Sequence, residues 1–292
     1  MLQEIGQPQR ERLFFIDFRA WFVGRVTRQD LTARFGLSEA AATRDIALYR
    51  SLAEGNLTFD QSSKTYLYSD RFSPLFSHEP RRTLSAIAEG IGDTDAGVGV
   101  PHVRAEHPLR LNPPRIEVIA VVSRAIAARR ALDVAYHSLT SGLTRRQIVP
   151  HALVDTGVRW HVRAFDRLRA RFADFVLTRI EEAAEVRGPL TAEEDREADD
   201  QWMRFVVMDL VPHPGLSRPE PIMRDYDMTD GCLRVRLRAA LCGYALVHWS
   251  VDISADHRLD HRRHHLWLSN RAALHGVENL QIAPGFDDYG AC

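Results

Sequence analysis

Apolar positions change their period along this chain, and the changes divide it. From Gln9 to Gly24 they recur at helical spacing, with Phe14, Phe18, Trp21 and Phe22 on one face. Thr27-Arg-Gln-Asp30 has the form of a capping box and predicts a second, short helix ending at Gly36. Ser38 is placed to cap a third helix that runs to about Ala53. Its inner side is Ala42, Ile46 and Tyr49, with Leu48 and Leu52 beside them; its open side is Ala40, Thr43, Arg44, Ala47 and Ser51. Two helices joined by Phe35-Gly36-Leu37 read as a helix-turn-helix. The period then falls to two in Asn56-Leu-Thr-Phe59 and Thr65-Tyr-Leu-Tyr68, around Asp60 to Lys64, which predicts a hairpin. Helix-turn-helix followed by hairpin is a winged helix.

Residues 73–114 are broken by Pro74, Pro80, Pro101, Pro108, Pro113 and Pro114, with room for a short helix at Arg82 to Glu89. Gly90, Gly92, Gly97 and Gly99 have no strand before them and no lysine after, so they read as linker and not as a phosphate loop. Ile116 to Arg130 is an amphipathic helix, followed by short strands from Leu132 to Ile180. Within them Val158 to Phe165 alternates strictly. Trp160, Val162 and Ala164 point one way; Arg159, His161 and Arg163 point the other. The second face holds two arginines and a histidine with no acid among them, which suits an anionic ligand and equally suits the outer face of an ordinary sheet. Arg187 to Asp200 is charged and poor in apolar residues, and predicts a solvated hinge. Beyond Trp202, Arg234 to Arg238 reads as a strand, Ala240 to Trp249 as a helix and His265 to Leu268 as a strand. The class is α+β and multidomain, with boundaries expected at 1–72, 73–114, 115–186, 187–201 and 202–292.

Composition changes this picture in three places. A chain of 292 residues accommodates two or three domains, and its net charge of −1 does not announce a polyanion binder. The central stretch, 115–181, is nevertheless basic, with twice as many Arg as Asp plus Glu. Lys64 is the only lysine; arginine bias also follows from genomic base composition, so it carries little weight. No apolar run approaches a membrane span, Met1 to Arg12 lacks a signal-peptide core, and Cys232, Cys242 and Cys292 form no CxxC, so a cytoplasmic protein away from membranes is expected. Catalysis finds no Gly-x-Ser-x-Gly, Walker loop or His-Glu-x-x-His. If helical, His257, His261 and His265 would share a face near His264, with Asp256 and Asp260 behind, but Arg258, Arg262 and Arg263 interleave and disfavour a divalent ion. No enzyme, metal or cofactor is expected.

Tyr136-His-Ser138, Arg145-Arg146, Ile148-Val-Pro-His151, Trp160-His161-Val162 and Phe175 to Ile180 follow one another in an order that resembles the core of a WYL domain, the ligand-sensing module of many bacterial transcription regulators. The family's Trp-Tyr-Leu run reads Trp-His-Val here, so only the tryptophan is kept. Val211-Pro-His-Pro214 and Ala239-Ala-Leu241 are similar to the C-terminal dimerisation domain of the same regulators. The whole chain resembles the BrxR/CapW group, found beside BREX and CBASS anti-phage defence systems. That resemblance implies a winged helix, a central Sm/SH3-like β-barrel, a C-terminal α/β dimerisation domain and a repressor that binds an inverted-repeat operator as a homodimer.

The residues carry this reading as follows. A helix-turn-helix lays the start of its second helix in the major groove. Small residues such as Ala40 and Ala41 permit close approach beside the capping Ser38, Thr43 and Arg44 reach bases or phosphates, and Arg28 and Lys64 are phosphate candidates. The resemblance places the effector surface at Tyr136, Ser138, Arg145, Arg146, His151, Trp160, His161, Arg163 and Arg179. Their aromatic faces, hydroxyls and guanidinium forks suit a nucleotide-like or nucleic-acid effector. Trp160 also lies on the apolar face and reads as core. If the patch serves only an effector, replacing Arg146 and Arg163 by alanine leaves folding nearly intact. The competing classes are a nucleotide- or nucleic-acid-processing enzyme, which needs clustered carboxylates for metal, and an adaptor of a defence complex that does not touch DNA.

Overall fold

The computed structural model describes residues 5–89 and 113–287. The glycines at 90, 92, 97 and 99, Pro101, Pro108 and Cys292 lie outside them. The chain forms two compact units, Met1–Leu109 and Arg110–Cys292.

In the first unit, α1 (Gln7–Phe18) continues into a wider π-type turn (Arg19–Val23) that ends at Gly24 in the left-handed region. A short strand, β1 (Arg25–Val26), leads to α2 (Arg28–Phe35), α3 (Glu39–Leu52), the hairpin β2 (Leu57–Asp60) and β3 (Thr65–Tyr68), and α4 (Pro80–Glu89). Thr27 and Asp30 form the reciprocal capping box of α2, and Gly36 closes it at φ 63°. The Ser38 hydroxyl accepts from Ala41 N and starts α3. β1 adds to the hairpin to give the order β1-β3-β2. The core is Leu13, Ile16, Ala20, Leu31, Ala42, Ile46 and Tyr49. α1 therefore buries a stripe next to the one its aromatics suggest: Phe14 and Trp21 remain 40% and 39% exposed. Residues 13–16 and Phe18 are all apolar, so spacing alone does not choose the stripe. The aromatics instead ring His78, with centroids 4.9 Å away for Phe14 and 5.3 Å for Trp21. Asp17, fully buried, accepts from Tyr49 Oη at 2.5 Å and lies 2.8 Å from His78 Nε2, so α1, α3 and the start of the connector share one polar tie.

In the second unit α5 (Ile116–Ala128) packs on a five-stranded antiparallel sheet, β4 (Ala131–Ser138), β5 (Gly142–Asp155), β6 (Trp160–Asp166), β7 (Arg171–Val176) and β8 (Ile180–Val186), ordered β7-β6-β5-β4-β8. The expected barrel is not closed. β7 and β8 are the two edges and do not pair; a single 3₁₀ turn, Leu177–Arg179, carries the chain from one to the other and spends its hydrogen bond locally. Val118, Val122, Leu132, Val134, Val162 and Phe175 form the core between helix and sheet, with Trp160 packed against it.

The segment after β8 is not the solvated hinge its composition predicts. It makes two short 3₁₀ turns, and Glu194 and Asp199 are buried at 5% and 1% exposure. Leu190 packs with Val149, Phe165 and Phe172 on the face of the sheet opposite α5. The last part holds α6 (Asp200–Met203), β9 (Phe205–Pro212), α7 (Glu220–Asp225), β10 (Leu233–Arg238), α8 (Ala239–His248), β11 (Val251–Asp252) and β12 (Leu266–Leu268), with sheet order β10-β9-β12-β11. Residues 256–265 are turns, so the histidines there share no helical face. Among the described residues no cluster of His, Cys, Asp and Glu is arranged to hold a metal ion, and no helix is long and apolar enough to cross a membrane.

Candidate functional site

Two surfaces carry the residues singled out above, and they differ in how their charges are met. On α3 the open side is as the period predicts: Ser38, Ala40, Thr43, Arg44 and Ala47 are exposed. The Thr43 hydroxyl donates to the Glu39 carbonyl at 2.8 Å, which leaves its methyl outward beside Ala40 and Ala47. Arg44 has no carboxylate partner among the described residues. The helix is fixed from behind by Asp45, which takes Arg12 Nε at 2.6 Å and Gln9 Nε2 at 3.0 Å. Arg28 is half-buried at the start of α2. Lys64 is exposed on the hairpin turn at φ 54°, next to Ser62 and Ser63, whose hydroxyls both donate to Asp60. Those bonds hold the Asp60 carboxyl down at about 2.

The basic face of the central sheet is mostly neutralised inside the fold. Arg146 is 6% exposed and pairs with Asp166 at 2.8 Å. Arg163, 5% exposed, grips Asp199 with Nε at 2.8 Å and Nη2 at 2.9 Å and reaches Asp174 at 3.4 Å. The acids that the alternation lacked thus come from the end of β6, from β7 and from the segment after β8. Arg145 is exposed and bonded to Asp133 and Glu182. The Tyr136 ring sits edge-on to Phe175 and its hydroxyl accepts from Val176 N, a core role. Ser138 Oγ accepts from Thr140 N and Ser141 N and shapes the β4–β5 turn. His151 Nε2 lies 3.0 Å from Asp199 Oδ2. His161 is 4% exposed and its ring leans on Tyr244 of α8, centroids 5.1 Å apart. Burial first, then the charges of Arg159 and Arg179, push His161 down to about 4. Of the nine effector residues expected, His161, Arg146 and Arg163 are buried; Arg179 is half-buried, and Arg159, outside the expected set, is exposed, both close enough to act on His161 by their charge.

Sequence reasoning missed the acids and Tyr244. The Tyr244 hydroxyl donates to Asp174 at 2.9 Å, so one buried chain runs from His151 through Asp199, Arg163 and Asp174 to α8. Gly157, at the tip of the β5–β6 hairpin and φ 81°, lies so close to His248 that a Cβ there would meet its ring at 2.3 Å. These contacts lock the central sheet to the C-terminal part. No local signal in the sequence marks Asp199 or Asp174, because their partner Arg163 lies 36 and 11 residues away.

Three family models match in chain order: the BrxR transcriptional regulator winged helix-turn-helix domain over residues 8–87, the WYL domain over 117–185, and the BrxR C-terminal dimerization domain over 205–274. Over 255 residues the chain is 34% identical to the DNA-binding transcriptional repressor CapW of Stenotrophomonas maltophilia, covering 84% of each. The CapW repressors of Escherichia coli KTE188 and Pseudomonas aeruginosa are 32% and 33% identical over 258 residues, with 86% and 84% of this chain and 85% and 83% of theirs covered. The chain belongs to the BrxR/CapW family. In the BrxR/CapW frame α3 and the hairpin fall in the winged helix, β4 to β8 in the WYL domain, and Tyr244 and His248 in the dimerisation domain. The Arg163–Asp174–Tyr244 contacts therefore join two family modules.

Proposed function

We propose that this protein is a DNA-binding transcriptional repressor that sits as a homodimer on an inverted-repeat operator before a phage-defence operon. Its C-terminal domain joins the protomers, and an anionic, nucleotide-like or nucleic-acid effector at the WYL domain releases it. The observation that carries the reading is the open side of α3: small residues around one arginine without an internal partner, behind which Asp45, Tyr49 and Ile46 anchor the helix. Small side chains let a helix enter the major groove, and a free guanidinium pairs bidentately with guanine. Membership of a family whose relatives are named DNA-binding repressors supports the same role. For the effector, Arg159 and Arg179 are the favoured residues, because they keep exposed surface while Arg146 and Arg163 are buried against carboxylates. Among the described residues the carboxylates are not clustered to hold a metal ion, as the competing enzyme reading needs.

The test is a gel shift of the full-length protein on the DNA upstream of its own gene, with a scrambled duplex as control, alongside light scattering. Specific retention by a dimer, protecting two half-sites about one helical turn apart, is expected. No binding to either duplex would leave the adaptor reading instead, and equal binding to both would overturn the operator assignment.

A further inference from the structure

The first unit holds a pocket of about 480 Å³ whose walls come from three places: Phe14, Phe15 and Phe18 of α1, Arg34 at the end of α2, and Phe76 of the connector. That volume is within the range of small-molecule sites. The pocket exists because α1 is apolar nearly all round and spends the stripe of Leu13, Ile16 and Ala20 on the core. Phe15 and Phe18 are buried, while Phe14 remains 40% exposed. Phe14 and Phe76 meet edge-on, with centroids 5.6 Å apart and planes at 74°, so ring contacts shape the wall. None of these residues belongs to the open side of α3 or to the central sheet.

The charged groups on the wall narrow the class of ligand. Arg10 and Arg34 both line the pocket, both are exposed, and neither meets a carboxylate among the described residues. The Arg34 guanidinium lies over the Phe15 ring, 5.9 Å from its centroid, and over the Phe35 ring at 5.6 Å. A guanidinium resting on rings is oriented in advance and keeps its fork of N–H donors for a carboxylate. Glu11 is the one carboxylate on the wall, and it accepts from Gln7 Nε2 at 3.0 Å. Two guanidinium groups against one carboxylate leave the pocket net positive, which favours a single negative charge and disfavours a cation. The phenylalanines favour a flat apolar body in edge-to-face or offset contact. A strongly hydrated anion such as free phosphate would leave those rings unused.

We propose that this pocket binds a small aromatic carboxylic acid. Its ring lies among Phe14, Phe18 and Phe76, its carboxylate pairs with Arg34, and Arg10 adds a second positive charge. Gln9 and Arg12, on either side of the lining residues Arg10 and Glu11, hold Asp45 of α3 at 3.0 and 2.6 Å. An occupant therefore rests on the helix that anchors α3. The site is separate from the Arg159–Arg179 surface and goes beyond the function proposed above.

The experiment titrates the full-length protein by calorimetry with naphthoate, with the neutral naphthylmethanol and with acetate. Naphthoate is expected to saturate with a sub-millimolar Kd, naphthylmethanol to bind about tenfold or more weakly, and acetate not to saturate. Arg10→Gln with Arg34→Gln should weaken naphthoate to the level of the alcohol and leave the alcohol unchanged, whereas Phe14→Ala should weaken both. All three side chains are exposed, so urea midpoints are expected to match wild type. If Phe14→Ala does not fold, the arginine variant decides. Naphthylmethanol or acetate binding as tightly as naphthoate overturns the proposal. So does naphthoate binding unchanged in the arginine variant, or no saturation at millimolar concentration. If the wild type binds no naphthoate and Phe14→Ala dissociates the dimer in light scattering, the face belongs to a second copy of the chain and the proposal falls. Operator binding by the same protein is read independently, so its failure and this one are distinguishable.

Discussion

On α3, Arg44 stands exposed among Ala40, Thr43 and Ala47, and no carboxylate meets it among the described residues. On β6, Arg163 is 5% exposed and makes three hydrogen bonds to Asp199 and Asp174. Both are arginines whose position in the sequence suits an anion. The difference lies in what desolvation demands. A buried guanidinium without a partner is prohibitively costly, so the fold supplies acids, and once supplied they commit the arginine to the fold. An exposed guanidinium costs the fold nothing to leave free. Basic patches in this protein are therefore divided by burial into those that hold domains together and those left for an external anion.

The largest expected effect breaks that division if it fails. Arg163→Ala leaves Asp199 and Asp174 buried without their cation, and should cost about 3–5 kcal/mol in stability; Arg146→Ala should act similarly through Asp166. The expectation that Arg146→Ala with Arg163→Ala spares folding is thereby reversed. Urea denaturation of each variant measures it, and a midpoint equal to wild type would show that the pairs are not what secures the sheet.

A smaller effect concerns pH. His161 titrates at about 4 in the fold against an ordinary 6.5, so the unfolded chain binds the extra proton between those values. Stability from this residue is whole above 6.5 and is lost as pH falls toward 4, a change of the order of 3 kcal/mol. His161→Phe should flatten the slope of stability between pH 6.5 and 4.5. The same slope in both proteins would place the titrating group elsewhere. Smaller still, Tyr244→Phe removes one hydrogen bond to Asp174 and should cost about 0.5–1.5 kcal/mol. It should also loosen the segment 187–199, read as faster amide exchange there. Unchanged exchange would mean that α8 does not brace the sheet through this bond.

Much of the first unit was legible because its signals are local. Thr27–Asp30, Gly36, Ser38 and the alternation in β2 and β3 each specify their own turn or cap, and all appear where expected. The stripe that α1 buries was not legible, because residues 13–18 are apolar nearly all round and only tertiary contact chooses among them. The basic face failed for a related reason. Alternation correctly put Arg159, His161 and Arg163 on one side of β6, but it cannot say what covers that side. The cover comes from Leu190, Glu194 and Asp199, about thirty residues on, in a segment whose composition reads as solvated. Charge composition missed it because the two buried acids, Glu194 and Asp199, have their partners Arg167 and Arg163 27 and 36 residues away and not beside them in sequence. The open edges of the central sheet, bridged by Leu177–Arg179, were likewise invisible to strand periodicity, which counts strands and not their closure.

The central claim is that Arg44 is held for DNA while Arg163 is held for the fold, and a single paired measurement tests it. Arg44→Ala is titrated against upstream DNA and a scrambled duplex at two salt concentrations, and its urea midpoint is taken in the same buffer. The account predicts an unchanged midpoint and a loss of about 1–3 kcal/mol on the upstream sequence. Loss confined to that sequence assigns a base contact, and equal loss on both with a shallower salt slope assigns a phosphate. Wild-type affinity for both duplexes in a folded Arg44→Ala protein would contradict the claim and remove Arg44 from the DNA interface.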